Sequence, residues 1–172
     1  MQSQMRRDRT LDHEELRAVW MAADDASTFG AFVQVSLLTA QRREKVLTMR
    51  WSEIQKSSWR IHSEPREKGN AGHLILPPLA LAIINSQPTV FGSSDVFTGR
   101  GTGPINGLSK CKARLDADAA IILGRDLPEW RVHDLRRTAR TLMSEIRIPR
   151  DIAERVLGHA IPGVEGIYDR HD

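Results

Sequence analysis

The chain has 172 residues, of which 40% are hydrophobic and 27% charged, and this is typical of one soluble domain with its own core. Its 25 Lys and Arg residues against 22 Asp and Glu residues give a net charge of only +3, so charge alone is weak support for a nucleic-acid partner. The single cysteine, Cys111, excludes an intrachain disulfide. The longest apolar stretch (74–84) is too short to span a bilayer, and the basic N-terminus is not followed by the apolar run of a secretory signal.

Two helices are predicted in the first quarter of the chain. Residues 1–10 are interpreted as a tail or the end of a linker. Asp12 and Glu15 form a capping-box pair, and apolar residues then recur with helical spacing, namely Leu16, Val19, Trp20 and Ala23. Between Ser27 and Ala40, apolar residues occupy most of the helix circumference. This second pattern predicts a central core helix that is buried on several sides.

A small antiparallel sheet is predicted next. Alternating apolar residues lie on either side of a polar, glycine-containing loop over 63–72, with Trp59 and Ile61 before it and Leu74 and Leu76 after it. Residues 51–54 are expected to add a third, short strand.

A helix over 78–86 follows the sheet, with proline in its first turn, and 91–106 is expected to be a loop because it contains four glycines and a proline. Within this loop, 101–103 (Gly-Thr-Gly) lacks the Gly-Lys-Ser/Thr ending of a phosphate-binding P-loop, so we interpret it as a turn.

Two further helices are predicted towards the C-terminus. Over 132–146 the helical period separates an apolar stripe (Leu135, Ala139, Leu142, Ile146) from a cationic face (His133, Arg136, Arg137, Arg140). Pro149 opens a short helix that reaches Leu157, and Gly158 is a natural stop. The last segment, 164–172, is expected to form a helical turn or two and carries the only tyrosine, Tyr168.

These cations and the lone tyrosine point to chemistry on a phosphodiester, whose transition state accumulates negative charge that donors must neutralise. Arginine outnumbers lysine by 20 to 5, which suits bidentate phosphate binding, although a GC-rich genome gives the same bias. The sequence contains no carboxylate pair at nuclease spacing and no zinc pattern of the His-Glu-x-x-His or paired-cysteine type. We therefore expect a metal-free arginine clamp that needs no cofactor.

Five landmarks, in order, resemble the catalytic domain of tyrosine recombinases, the phage-type integrases. They are Thr39-Ala40-Gln41-Arg42 followed by Met49-Arg50-Trp51-Ser52-Glu53-Ile54, then Lys68 in a strand-flanked loop, His133-x-x-Arg136, Leu157-Gly158-His159, and Tyr168. The resemblance covers nearly the whole chain. It implies a mainly helical α+β domain over 11–172 with a small antiparallel β-sheet.

The resemblance also implies roles for six residues. Arg42 and Arg136 would bind the scissile phosphate, and Tyr168 would attack it to leave a 3′-phosphotyrosyl link and a free 5′-hydroxyl. Lys68 would protonate the leaving oxygen, while His133 and His159 would hydrogen-bond the phosphate and assist proton transfer. Arg43, Arg137 and Arg140 are expected to add DNA contacts.

Each of these residues also has a structural interpretation: a solvated helix end for Arg42, an exposed loop lysine for Lys68, a helix N-terminal residue for His133, a packing histidine for His159 and a core aromatic for Tyr168. The presence of the complete set of six favours function. The remaining histidines, at 13, 62, 73 and 171, are interpreted as structural.

The sequence departs from the family pattern at two places. Ala40 stands where a glycine usually precedes the motif arginine, and Lys45 stands where a glutamate is frequent, with Glu44 one position earlier. Either Glu44 takes over the supporting role or catalysis is altered. The family's separate N-terminal DNA-clamping domain and its C-terminal docking helix have no counterpart in this sequence, which therefore resembles a catalytic domain alone.

The prediction is a bacterial, cytoplasmic, nucleoid-associated recombinase that acts on double-stranded DNA at attachment sites and integrates or excises a phage, prophage or genomic island. At full length it is expected to work as a homotetramer on two duplexes, and this fragment as a monomer without a membrane partner. Two alternatives stay open: a chromosome-dimer-resolving or inverting recombinase of the same chemistry, and a non-catalytic DNA-binding module.

Overall fold

The computed structural model describes residues 8–24, 27–63, 69 and 72–159. Within these ranges it contains seven α-helices, one 3₁₀ turn at Trp51–Glu53 and three short strands. In chain order they are α1 (His13–Ala23), α2 (Thr28–Thr39), α3 (Arg43–Leu47), β1 (Ile54–Gln55), β2 (Ser58–Arg60), β3 (His73–Ile75), α4 (Pro78–Asn85), α5 (Leu108–Leu123), α6 (Val132–Glu145) and α7 (Arg150–Leu157). The predicted mainly helical α+β class is confirmed.

Helix α1 begins at the predicted capping box. An Asp12 carboxylate oxygen accepts from the Glu15 backbone N–H at 2.8 Å, and the Glu15 carboxylate accepts from the Asp12 N–H at 2.9 Å. The two side chains thus satisfy backbone donors that the first helical turn leaves unpaired. Just before the cap, the Leu11 N–H donates to the Thr138 hydroxyl at 3.0 Å. This hydrogen bond holds the segment before α1 against α6.

Helix α2 is the centre of the core, as predicted. It contacts α1, α4, α5 and α6, and Phe32 and Val35 are fully buried between them. The ring of Phe32 meets that of Phe97 edge to face, with centroids 5.9 Å apart. Phe97 comes from the predicted 91–106 loop, which is irregular as expected but contributes its apolar residues to the core.

The strands form an antiparallel sheet in the order β1-β2-β3. Trp59 of β2 is buried and donates its indole N–H to a Glu53 carboxylate oxygen at 3.2 Å. The expectation of a strand over 51–54 was wrong for its first three residues. They form the 3₁₀ turn, and strand pairing begins only at Ile54 opposite Trp59.

The structure of α6 differs from the predicted division into an apolar face and a cationic face. Leu135 and Ala139 are buried as expected, but Ile146 lies beyond the helix end and is 72% exposed. Arg136, predicted on the cationic face, is only 6% exposed because the end of α7 covers it. Helix α7 follows Pro149 and ends before Gly158 in the left-handed conformation, as predicted. Among the described helices, none combines the length and apolar character needed to cross a membrane.

The close approach of α1 and α2 gives a test of this packing. A methyl group added at Gly30 would lie 2.0 Å from the Ala23 carbonyl oxygen, which is backbone and has little room to move. We expect Gly30→Ala to lower the free energy of unfolding by about 3 kcal/mol, measured by urea denaturation. Gly103→Ala is the matched control, because no described atom lies within 4 Å of the added methyl. Equal stability of the two variants would contradict this packing.

Candidate active site

The turn after α2 positions the first motif arginine. Ala40 ends the helix in the left-handed conformation (φ 52°), which favours glycine, and is completely buried. Gln41 is buried too and donates to the Val156 carbonyl of α7 at 2.6 Å. Arg42 then precedes α3, is half-buried and donates to the Gly69 carbonyl at 2.7 Å.

Arg136 lies where α2 and α7 end. Its Nη1 donates to the Ala40 carbonyl at 2.8 Å, and its Nη2 donates to the Leu157 carbonyl at 2.7 Å. Carbonyl groups at the C-terminal end of a helix lack intrahelical partners and carry the negative end of the helix dipole. The guanidinium therefore satisfies orphan acceptors from two helices, and these acceptors fix its orientation.

His159 lies beside Arg136. The Arg136 Nη2 and the His159 Nε2 are 2.9 Å apart, while the His159 Nδ1 is 2.5 Å from a Glu154 carboxylate oxygen. The second Glu154 oxygen accepts from Arg140 Nε at 3.0 Å. The hydrogen bond with His159 is the main cause that lowers the pKa of Glu154, and Arg140 adds to it against the opposing effect of burial. Glu154 is a residue that the sequence analysis missed.

His133, in the first turn of α6, keeps a solvent-exposed edge. Its pKa is lowered, first by partial burial and then by the positive charges of Arg137, Arg136 and Arg42, while Asp134 acts in the opposite direction. A neutral imidazole is therefore favoured here. Arg42 follows two residues after Ala40, whose carbonyl Arg136 contacts, so its backbone lies close to the cationic face of α6.

Arg136 and the two histidines line one open cleft of about 450 Å³. Its walls include two histidines and three arginines, namely His133, His159, Arg136, Arg137 and Arg140. The structure thus brings together three of the six predicted catalytic residues and sets Arg42 nearby. Lys68 and Tyr168 lie outside the described residues.

The three arginines predicted to contact DNA each face an acid on the described surface. Arg43 bonds to Glu44, Arg137 to Asp134 at 2.6 Å, and Arg140 to Glu154. At the position where the family frequently has glutamate, Lys45 donates to the His62 carbonyl at 2.7 Å, beside the strand β2. Among the described residues, no group of three or more His, Cys, Asp or Glu side chains is arranged to hold a metal ion.

The sequence model of the phage integrase family matches residues 9–172. The chain belongs to the phage integrase family. The predicted resemblance is thereby confirmed.

Individual relatives agree with this integrase-family membership. Prophage integrase IntF of Escherichia coli (strain K12) is 27% identical over 161 residues, which cover 88% of this chain and 33% of IntF. The solved Tn1549 transposon integrase, in complex with circular intermediate DNA, gives a TM-score of 0.71 at 11% identity and covers 94% of this chain and 61% of that one. A lambda integrase tetramer bound to a Holliday junction gives 0.65 at 16% identity, with 98% and 51% covered. The integrase-family chain thus spans a third of IntF and about half of lambda integrase, and the structural likenesses show a shared fold.

The lowered pKa of His133 gives a pH test of the site. The unfolded chain binds more protons than the folded one between the lowered folded pKa and the unfolded value near 6.5. This extra proton binding stabilises the unfolded chain and so lowers the free energy of unfolding. The effect is absent above about pH 6.5 and grows as the pH falls below it. We therefore compare the free energy of unfolding at about pH 7.5 and about pH 5.5, roughly one unit on either side of 6.5. We expect this free energy to fall less in His133→Gln than in the wild type. His73→Gln, at an exposed position of β3, controls for loss of a histidine, and an unchanged pH dependence in His133→Gln would contradict the assignment.

Proposed function

We propose that this chain is the catalytic part of a site-specific recombinase that cleaves and rejoins double-stranded DNA through Tyr168. The observation that carries the proposal is the buried, backbone-anchored guanidinium of Arg136 in a cleft that also holds His133 and His159. A cationic, preorganised donor is what a phosphodiester needs in its transition state, because donors already in place require no reorganisation when charge develops.

Arg136 and Arg42 are the proposed phosphate ligands. Guanidinium groups keep their charge and present donors in a planar fork that matches phosphate oxygens. Arg136 uses part of that fork on the carbonyls of Ala40 and Leu157, so these bonds aim the group as well as hold it. Arg42 adds its charge from the turn between α2 and α3.

The proposed reaction needs no metal. The Tyr168 oxygen attacks phosphorus and forms the 3′-phosphotyrosyl bond, while the bond from phosphorus to the 5′-oxygen breaks. The tyrosine proton passes to a neutral imidazole such as His133, whose lowered pKa keeps it in the unprotonated form, and Lys68 gives a proton to the departing 5′-oxygen. The tyrosyl phosphodiester conserves the energy of the broken bond, so a second 5′-hydroxyl rejoins the strand without ATP.

The biological role that we propose is integration or excision of a phage, prophage or genomic island at DNA attachment sites. The similarity to a prophage integrase supports this assignment, and the fold shared with a lambda integrase tetramer on a Holliday junction supports a tetrameric working unit. Arg43 and Arg137 would exchange their carboxylate partners for DNA phosphates, while Arg140 would contact DNA without leaving Glu154; such phosphate contacts make binding strongly salt-dependent.

Covalent capture tests the proposal. The protein at its full natural length is mixed with supercoiled plasmid carrying the element's attachment site, in EDTA, and then denatured. We expect protein-linked and relaxed DNA from the wild type and neither product from Tyr168→Phe, because the variant lacks the attacking oxygen but keeps the ring.

Binding of the same plasmid is measured in parallel by filter retention. A wild type that binds the plasmid but neither links nor relaxes it contradicts the catalytic proposal and favours the DNA-binding module. Products that disappear only because EDTA is present contradict the metal-free reaction.

A further inference from the structure

The geometry points to Glu154 as a positioning residue that fixes the ring of His159 and prepares it to receive a proton when phosphate binds. This inference rests on the proposed function, since it concerns the same cleft. Glu154 contacts His159 and Arg140 and is assigned no contact with the substrate.

Glu154 holds His159 through both backbone and side chain. Helix α7 ends at Leu157, and Gly158 turns the chain back in the left-handed conformation (φ 69°). The His159 N–H then donates to the Glu154 carbonyl at 2.9 Å, while its ring meets the Glu154 carboxylate at 2.5 Å. The residue after the helix is thereby returned over the last turn and directed towards α6.

The hydrogen-bond pattern determines which ring nitrogen carries the hydrogen. An ionised carboxylate only accepts, so His159 Nδ1 must donate to Glu154. Arg136 only donates, so the Nε2 facing it at 2.9 Å accepts with its lone pair. In this arrangement the imidazole of His159 is neutral, with its hydrogen on Nδ1.

Phosphate reverses the requirement at Nε2. Non-bridging phosphate oxygens offer only lone pairs, so His159 can bond to one only after Nε2 has taken a proton from solvent water. The resulting imidazolium keeps its Nδ1 hydrogen on Glu154, whose negative charge stabilises it. Arg140 holds the other carboxylate oxygen and so fixes the orientation of Glu154.

Other charges act on His159 as well. From α6, Arg136 contacts the ring and Arg140 contacts Glu154, and His133 and Arg137 line the same cleft with Asp8 from the N-terminal segment. Glu154 is the carboxylate in direct contact with the ring. Without the charge of Glu154, a protonated His159 would lose the carboxylate that contacts its ring.

Glu154→Gln is the informative variant. If the amide oxygen points towards His159, the NH₂ group faces Arg140, and two donors then meet without an acceptor. If the amide is reversed, the NH₂ group faces Nδ1–H, and this favours the His159 tautomer with its hydrogen on Nε2. Glu145→Gln is the matched control, since it also neutralises a carboxylate beside a histidine, His13 at 3.1 Å, but outside the cleft.

The experiment measures single-turnover cleavage of attachment-site DNA by the full-length protein across pH, with DNA affinity measured separately. We expect Glu154→Gln to cleave roughly 10- to 100-fold more slowly with near-normal affinity, taking as a guide the loss seen when the hydrogen-bond partner of a metal-bound histidine is removed. The fall of the rate with rising pH should begin at a lower pH than in the wild type. Glu145→Gln should match the wild type, and Glu154→Asp should recover part of the rate because it keeps the accepting charge.

A double variant separates positioning from a structural role. If Glu154 acts through His159, Glu154→Gln changes nothing further in a His159→Gln background, whereas additive losses overturn the inference. An unchanged rate and pH profile in Glu154→Gln also overturn it. If Glu154→Gln fails to fold by circular dichroism, the pH profile of Glu154→Asp decides instead. Absence of cleavage by the wild type would refute the proposed function itself, which is a distinct result.

Discussion

Burying a guanidinium is unfavourable unless its N–H groups are paired and its charge is compensated. Arg136 meets that condition by lying at the C-terminal ends of two helices, where the carbonyls of Ala40 and Leu157 need donors. Much of the site depends on this interaction. It brings the turn that carries Arg42 and the turn that carries His159 to the same arginine, although these segments lie more than a hundred positions apart.

The same interaction explains details that look unrelated in the sequence. Ala40 must adopt a left-handed conformation so that α2 ends with its carbonyl towards Arg136. Gln41 links this turn to α7 through the Val156 carbonyl, which keeps the two helix ends together. Residues 40 and 41 of the motif therefore act on packing, and Arg42 follows them directly before α3.

The sequence predicted most of this fold because its local signals are strong: the capping box of α1, the apolar circumference of α2 and the proline and glycine that bound α7. Helix α5 was not predicted, although Gly107 and Gly124 flank it, because its apolar residues are interspersed with charges such as Lys112 and Asp116. The burial of Arg136 and the role of Glu154 were not accessible to periodicity, since both depend on where α7 packs. An acid in the last turns before a motif histidine is the signal that was available for Glu154.

A crystal structure of the full-length Tyr168→Phe variant bound to its attachment-site DNA tests the central claim most directly. The account predicts that the scissile phosphate lies within hydrogen-bond distance of Arg42 and Arg136, while Arg136 keeps its bonds to the carbonyls of Ala40 and Leu157. It also predicts His159 Nε2 directed at a phosphate oxygen. A phosphate bound away from Arg136, or an Arg136 that leaves both carbonyls to reach it, would contradict the account.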